Sequence, residues 1–215
     1  QQPFSWKELG VDVRGRSSTL TVNYRTSHQI RIAADRLLPR VVRDVDGNAD
    51  ERDRTVSVFN GPVPVVRLFE TATAETEAVA EAIRQAMADG ILPGEIGVFV
   101  RSRAELPRAR AAAEAAGLPP RELSEQQRDA GEAVSVGTMH DAKGLEFKAV
   151  AVIACDDGVL PSAARMEAVA DETELDEVYE TERHLLYVAC TRARDRLLVS
   201  GVRPASEFLS DLAAP

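Results

Sequence analysis

Lysine is almost missing from this chain: Lys7, Lys143 and Lys148 are the only lysines among 26 basic residues, and all the others are arginine. Arginine suits two-pronged contacts to phosphate and carboxylate better than lysine, although a bias of this kind also arises from genome composition. Cysteine is scarce too. Cys155 and Cys190, both in apolar surroundings, build no disulfide framework or zinc site, and the expected compartment is a reducing cytoplasm. No apolar run approaches the roughly 20 residues of a membrane helix, so no membrane partner is expected. The start, Gln1 to Trp6, lacks the basic head and apolar stretch of a secretory leader. Positive charge is short overall: 26 Lys and Arg against 35 Asp and Glu leave −9 and a pI near 5.0. A generic basic nucleic-acid coat is thereby excluded, because such binding draws its affinity from neutralised phosphates. An initial methionine is also missing, which reads as a piece of something longer.

What is present is an ordinary globular balance over 215 residues, with 44% hydrophobic and 28% charged residues. Charge falls in blocks. Residues 1–43 carry eight basic and three acidic groups, residues 44–90 four and ten, and residues 166–188 one and eight. Solvated faces account for the acidic blocks, which hide two less acidic regions, around Arg25 and around Arg192.

Apolar patterning alternates between strand and helix. Ser18–Val22 reads as extended, and Ser27 caps a helix expected through Ile30, Ala34, Leu37, Leu38 and Val41. Pro62–Phe69 reads as a strand, Glu75–Asp89 as a helix, Ile96–Val100 as a strand, and Ala104–Ala116 as a helix stopped by Gly117. Ala133–Val136 and Lys148–Ala154 are unalternating apolar runs, as in strands covered on both faces. Glu180–Thr191 reads as helix and Arg196–Ser200 as strand. This order predicts an α/β fold with a mostly parallel sheet between two helical layers. Leu118–Glu132, polar and proline-bearing, is expected to be an excursion.

Ligands of open parallel sheets bind beyond the carboxyl ends of the strands. Three clusters are expected there: Asn23-Tyr24-Arg25-Thr26-Ser27, Gly137 to Phe147, and Tyr187 to Arg194. Each has a structural reading of its own. Arg25 can pair with Asp12 or Asp35, His140 can be a satisfied loop histidine, and Lys143 can pair with Glu146 three residues on. Arg192 and Arg194 can cap the last carbonyls of a helix.

Together the clusters resemble three motifs of the UvrD/Rep family of superfamily 1 DNA helicases. Asn23-Tyr24-Arg25-Thr26-Ser27 is similar to the fourth, N-Y-R-S. Thr138-x-His140-x-Ala142-Lys143-Gly144-Leu145-Glu146-Phe147 is similar to the fifth, T-x-H-x-A-K-G-L-E-F. Glu182 to Ala193 resembles the sixth, E-R-R-L-x-Y-V-A-x-T-R-A, with His184 in place of an arginine. The resemblance implies that residues 1–215 form a second RecA-like domain of the P-loop NTPase type, half of an ATP-dependent motor. It implies that Arg25 and Arg192 reach the γ-phosphate of ATP, and that Gly144 lets the backbone approach the nucleotide while Glu146 binds its ribose. It also implies that Thr138, His140 and, least firmly, Lys143 touch single-stranded DNA. The phosphate-cradling G-x-x-x-x-G-K-[ST] is absent from the chain, as is a magnesium-binding acidic strand end. ATP and Mg2+ would therefore be held mainly by the N-terminal RecA-like domain, the expected partner, and the chain alone would be inactive. The family places an accessory subdomain between the Asn23 and Thr138 clusters; here Leu118–Glu132 is too short to hold it, so that subdomain is expected to be absent or vestigial. The other reading is a non-catalytic RecA-like module that binds DNA or protein.

Overall fold

The computed structural model of the protein describes residues 22–38, 41–43, 49–51, 56–123, 131–169 and 171–213. The expected extended segment Ser18–Val22 lies outside the described residues apart from Val22. Two small strand pairs precede the main sheet. β1 (Val22–Asn23) runs parallel to β4 (Val56–Ser57), and β2 (Val41–Arg43) pairs antiparallel with β3 (Ala49–Glu51). Between them, α1 (His28–Asp35) begins where expected, with the Ser27 side chain accepting from the Ile30 amide. It ends earlier than expected. Val41 belongs to β2, and Leu37 and Leu38 are buried in the turn that follows α1, so the apolar spacing outlasted the helix.

The main sheet consists of β5 (Val65–Phe69), β6 (Ile96–Val100), β7 (Pro120–Glu122), β8 (Val134–Thr138), β9 (Phe147–Val152) and β10 (Ala193–Val202). Its order is β5-β10-β9-β6-β8-β7, and every adjacent pair is parallel. β6 falls on the expected residues, and all five of its residues are buried, as a strand covered on both faces requires. β7 is a correction, since Pro120–Glu122 lies inside the presumed excursion. Proline is tolerated at the first position of an edge strand, where a missing N–H need not break the ladder. Residues 124–130 of the excursion lie outside the described residues.

Two apolar layers sandwich the sheet. On one face, α1, α5 (Glu172–Cys190) and α6 (Phe208–Ala213) bury Ile30, Leu186 and Phe208 with Phe99, Val152 and Val199. On the other, α2 (Ala72–Ala88) and α3 (Leu106–Ala115) bury Val79, Ile83, Ala109 and Ala112 with Val98, Val136 and Ala151. Gly117 follows α3 at φ +82°, a left-handed stop that side-chain-bearing residues adopt at a cost. A short helix, α4 (Ala163–Glu167), leads towards α5. α5 starts eight residues before the expected Glu180. The Asp171 carboxylate accepts from the Glu174 amide, and Glu172 and Glu174 sit in the first turn, so acids read as merely solvated nucleate the helix.

Phe99 is fully buried and meets Phe147 edge-on with ring centroids 5.6 Å apart. Phe99→Ala should destabilise the domain by about 3–5 kcal/mol in urea unfolding. Val63→Ala, at a side chain 74% exposed, should stay within about 0.5 kcal/mol.

Candidate functional site

The three clusters do not gather at one end of the sheet. β9 begins at Phe147 and β10 at Ala193, so Glu146 and Arg192 immediately precede strands and lie at the amino edge. The loop holding Arg25 is tied to the same edge, because the Ser27 amide donates to the Arg194 carbonyl at 2.9 Å. Only Thr138, the last residue of β8, and His140 beyond it stand at the carboxyl edge. The expectation that all three clusters lie beyond strand carboxyl ends therefore holds for Asn23 to Ser27 with respect to the small strand β1, and in the main sheet for Thr138 and His140 alone. Strand ends are set by pairing register, which residue types do not reveal.

At the amino edge, Asn23 shapes its own loop by accepting the Arg25 amide on Oδ1 at 2.8 Å. Of the two expected partners of Arg25, Asp12 lies outside the described residues, and among the described contacts Arg25 pairs not with Asp35 but with Glu146. Its Nε lies 3.4 Å from Glu146 Oε2, while Asp35 takes Arg31. With side chains 54% and 44% exposed, the Arg25–Glu146 pair is worth at most about 1 kcal/mol, so an arriving anion can break it cheaply. Arg192 donates from Nε to the Val188 carbonyl at 2.9 Å and from Nη1 to the Leu145 carbonyl at 3.3 Å. It does cap its helix, as its structural reading holds, whereas Arg194 pairs with Asp195. Burial, and then the neighbouring positive charge of Arg25, hold the Arg192 guanidinium below its usual value. Two arginines and a carboxylate from three segments thus converge at one edge, and two cations near one another favour an anion. Tyr24 beside Arg25 is 66% exposed, a flat ring on the same loop that was not assigned a role from sequence.

Gly144 sits at φ +84° with open space where a side chain would begin. It is required by the backbone angle of the turn, and not by any crowding within this chain.

At the carboxyl edge, Thr138 is buried and its hydroxyl donates to Asp141 Oδ2 at 2.7 Å; the same oxygen accepts the Thr138 amide at 2.9 Å. Thr138 therefore shapes its loop, and Asp141, passed over in the sequence, is the acceptor that holds it. His140 and Lys143 are exposed. Burial, and next the Arg101 charge, pull the His140 imidazole below its ordinary value. Two further groups went unread. Glu75, at the expected start of its helix, is fully buried; it accepts from Ser200 Oγ at 2.7 Å and the Ala154 amide at 3.1 Å, and it pairs with Arg108, which also pairs with Asp156. Glu182 is equally buried and is held by Arg101 and Arg165. Their spacing carried a signal, since Glu182 heads the stripe Leu186, Ala189, Cys190 and Glu75 heads Val79, Ile83, Ala86. Among the described residues no group of three or more His, Cys, Asp or Glu could hold a metal ion, and no helix is long and apolar enough to cross a membrane.

The sheet order and the two helical layers define a RecA-like α/β domain. The C-terminal domain of a possible DNA helicase from Lactobacillus plantarum WCFS1 superposes with a TM-score of 0.60 at 23% identity, over 88% of this chain and 94% of that one, a likeness of fold. Residues 110–203 match the family described as UvrD-like helicase C-terminal domain. The ATP-dependent DNA helicase UvrD1 of Mycobacterium leprae is 49% identical over 90 residues, covering 37% of this chain and 11% of that protein. The putative ATP-dependent DNA helicase YjcD of Bacillus subtilis is 42% identical over 79 residues, covering 36% of this chain and 10% of that protein. The chain thus spans about a tenth of the length of the curated relatives it matches.

A depressed His140 value means the fold prefers the neutral imidazole. Stability drawn from it is lost as pH falls through the ordinary histidine value of about 6.5 and continues to fall until the lower folded value is passed. In NMR titration of the domain the His140 midpoint should lie below about 6.5. A midpoint above it would contradict the geometry.

Proposed function

We propose that this chain is the second RecA-like half of an ATP-dependent motor that moves on single-stranded DNA. The observation that carries this reading is the convergence of Arg25, Arg192 and Glu146 at the amino edge. A planar, permanently charged guanidinium stabilises negative charge spread over phosphoryl oxygens as a phosphate transfers. The set fits the outer end of a nucleoside triphosphate; it does not fit a metal, so ATP with Mg2+ falls chiefly to an N-terminal RecA-like domain across the cleft. When nucleotide arrives, the weak Arg25–Glu146 pair opens, Arg25 turns to the γ-phosphate, and Glu146 is freed for a ribose hydroxyl. Arg192, already aimed by its bonds to Val188 and Leu145, joins when the cleft closes. Hydrolysis thereby depends on domain movement, and the chain alone does not hydrolyse ATP. The exposed ring of Tyr24 is placed to offer a nucleobase an apolar face.

On this reading His140 and Lys143 meet single-stranded DNA at the carboxyl edge, on the loop that Thr138 and Asp141 hold. Met139 to Glu146 then carries the chain across the sheet without a long helix, joining the DNA edge to the nucleotide edge directly. The whole chain serves as one domain, with residues 118–132 standing where the family carries its accessory subdomain. A non-catalytic module remains the alternative. It is favoured by the way Arg192 and Arg25 already find partners within the domain.

Arg192→Ala in the full-length protein separates the two. DNA-stimulated turnover should drop by about 10³-fold, while ATP binding changes only a few-fold. Undiminished turnover would remove Arg192 from the reaction.

A further inference from the structure

Glu182 is a carboxylate with no access to water. It lies on the buried stripe of α5, ten residues before Arg192, and its side chain is 0% exposed. Arg101 grips it with two prongs, Nε to Oε2 at 2.5 Å and Nη2 to Oε1 at 2.6 Å. Arg165 adds Nη1 to Oε1 at 2.7 Å, and the Ser162 amide lies 3.4 Å from Oε2. Burial alone would raise the Glu182 carboxyl, but the two arginines outweigh it and hold the group below its usual value, ionised. Removing one partner of such a pair leaves an uncompensated buried charge, so α5 cannot shift along the sheet without carrying Arg101 with it.

Arg101 sits at the carboxyl edge. It follows the last residue of β6, Val100, which is in register with Thr138 and accepts the Met139 amide at 2.8 Å. The loop bearing His140 and the arginine that holds Glu182 therefore start from the same pair of strand ends. The other end of α5 runs through its C-cap, Thr191, into Arg192 at the amino edge. At about 1.5 Å of rise per residue the helix spans roughly 15 Å between the two side chains, the depth of the sheet.

We propose that Glu182 is a positioning residue: the Arg101–Glu182 fork locks α5 to the carboxyl edge, so that occupancy of that edge sets the reach of Arg192 at the other. This rests on the motor reading above, because it assigns the two edges to DNA and nucleotide. Glu182 touches neither ligand. Arg165, with its side chain 42% exposed, is the outer member of the cluster and can yield without exposing Glu182.

The test compares ATP turnover by the full-length protein with and without a single-stranded oligonucleotide, alongside oligonucleotide affinity and melting temperature. In Glu182→Gln, stimulation by DNA should fall about ten-fold, with the DNA-free rate and the oligonucleotide Kd within about three-fold of wild type. Arg101→Lys keeps the charge and loses the fork, so it should show a smaller loss of the same kind. If Glu182→Gln does not fold, Arg101→Lys decides. Undiminished stimulation in a folded variant overturns the proposal, as does an equal loss of rate with and without DNA, which marks a merely structural anchor. A wild-type protein whose turnover ignores DNA instead overturns the motor reading, and this inference with it.

Discussion

Every strand of the six-stranded sheet runs in one direction, so each connection must bring the chain back from the carboxyl edge to the amino edge. The two edges are consequently built from different parts of each connection, and they differ chemically. Residues leaving a strand, such as Arg101, Thr138 and His140, populate one. Residues about to enter a strand, such as Glu146 and Arg192, populate the other. Most connections cross with a helix, as in α2 and α3. The segment from Met139 to Glu146 crosses with turns alone.

Buried charge is the second organising feature, one cluster for each helical layer. Glu182 holds α5 on one face, and Glu75 holds the start of α2 on the other, where Arg108 of α3 and Ser200 of β10 meet it. Such groups are weak contributors to net stability, because desolvation offsets most of the Coulomb attraction. They do discriminate between arrangements. A helix displaced by one turn would strand a charge in an apolar layer, so each cluster selects one seating of its helix. In contrast, the Arg25–Glu146 pair is exposed and cheap to break, as befits groups that a ligand must recruit.

Much of the fold was legible where burial pattern and local chemistry agreed. β6 was delimited by its uninterrupted apolar run, α1 by the Ser27 cap, and the end of α3 by Gly117. Where they disagreed, local reading failed in identifiable ways. Leu37 and Leu38 kept helical spacing after the helix had ended, since the layer above the sheet needs apolar residues whatever the backbone does, and Val41 passed to β2. The acids of residues 171–177 hid the first turns of α5, and Pro120 hid an edge strand. Nothing local to Glu75 and Glu182 names the arginines that meet them, which lie 33 and 81 residues away in the chain.

The general α/β architecture followed from order and spacing, because these depend on side-chain chemistry and on a repeat only a few residues long, while the motif residues were singled out by their resemblance to known helicase motifs. Which edge of the sheet each residue occupies did not. That depends on strand register and on connections between residues far apart in the chain. Arg25 meeting Glu146 across 121 positions, and Arg101 meeting Glu182 across 81, are outcomes of packing that only the folded sheet brings about.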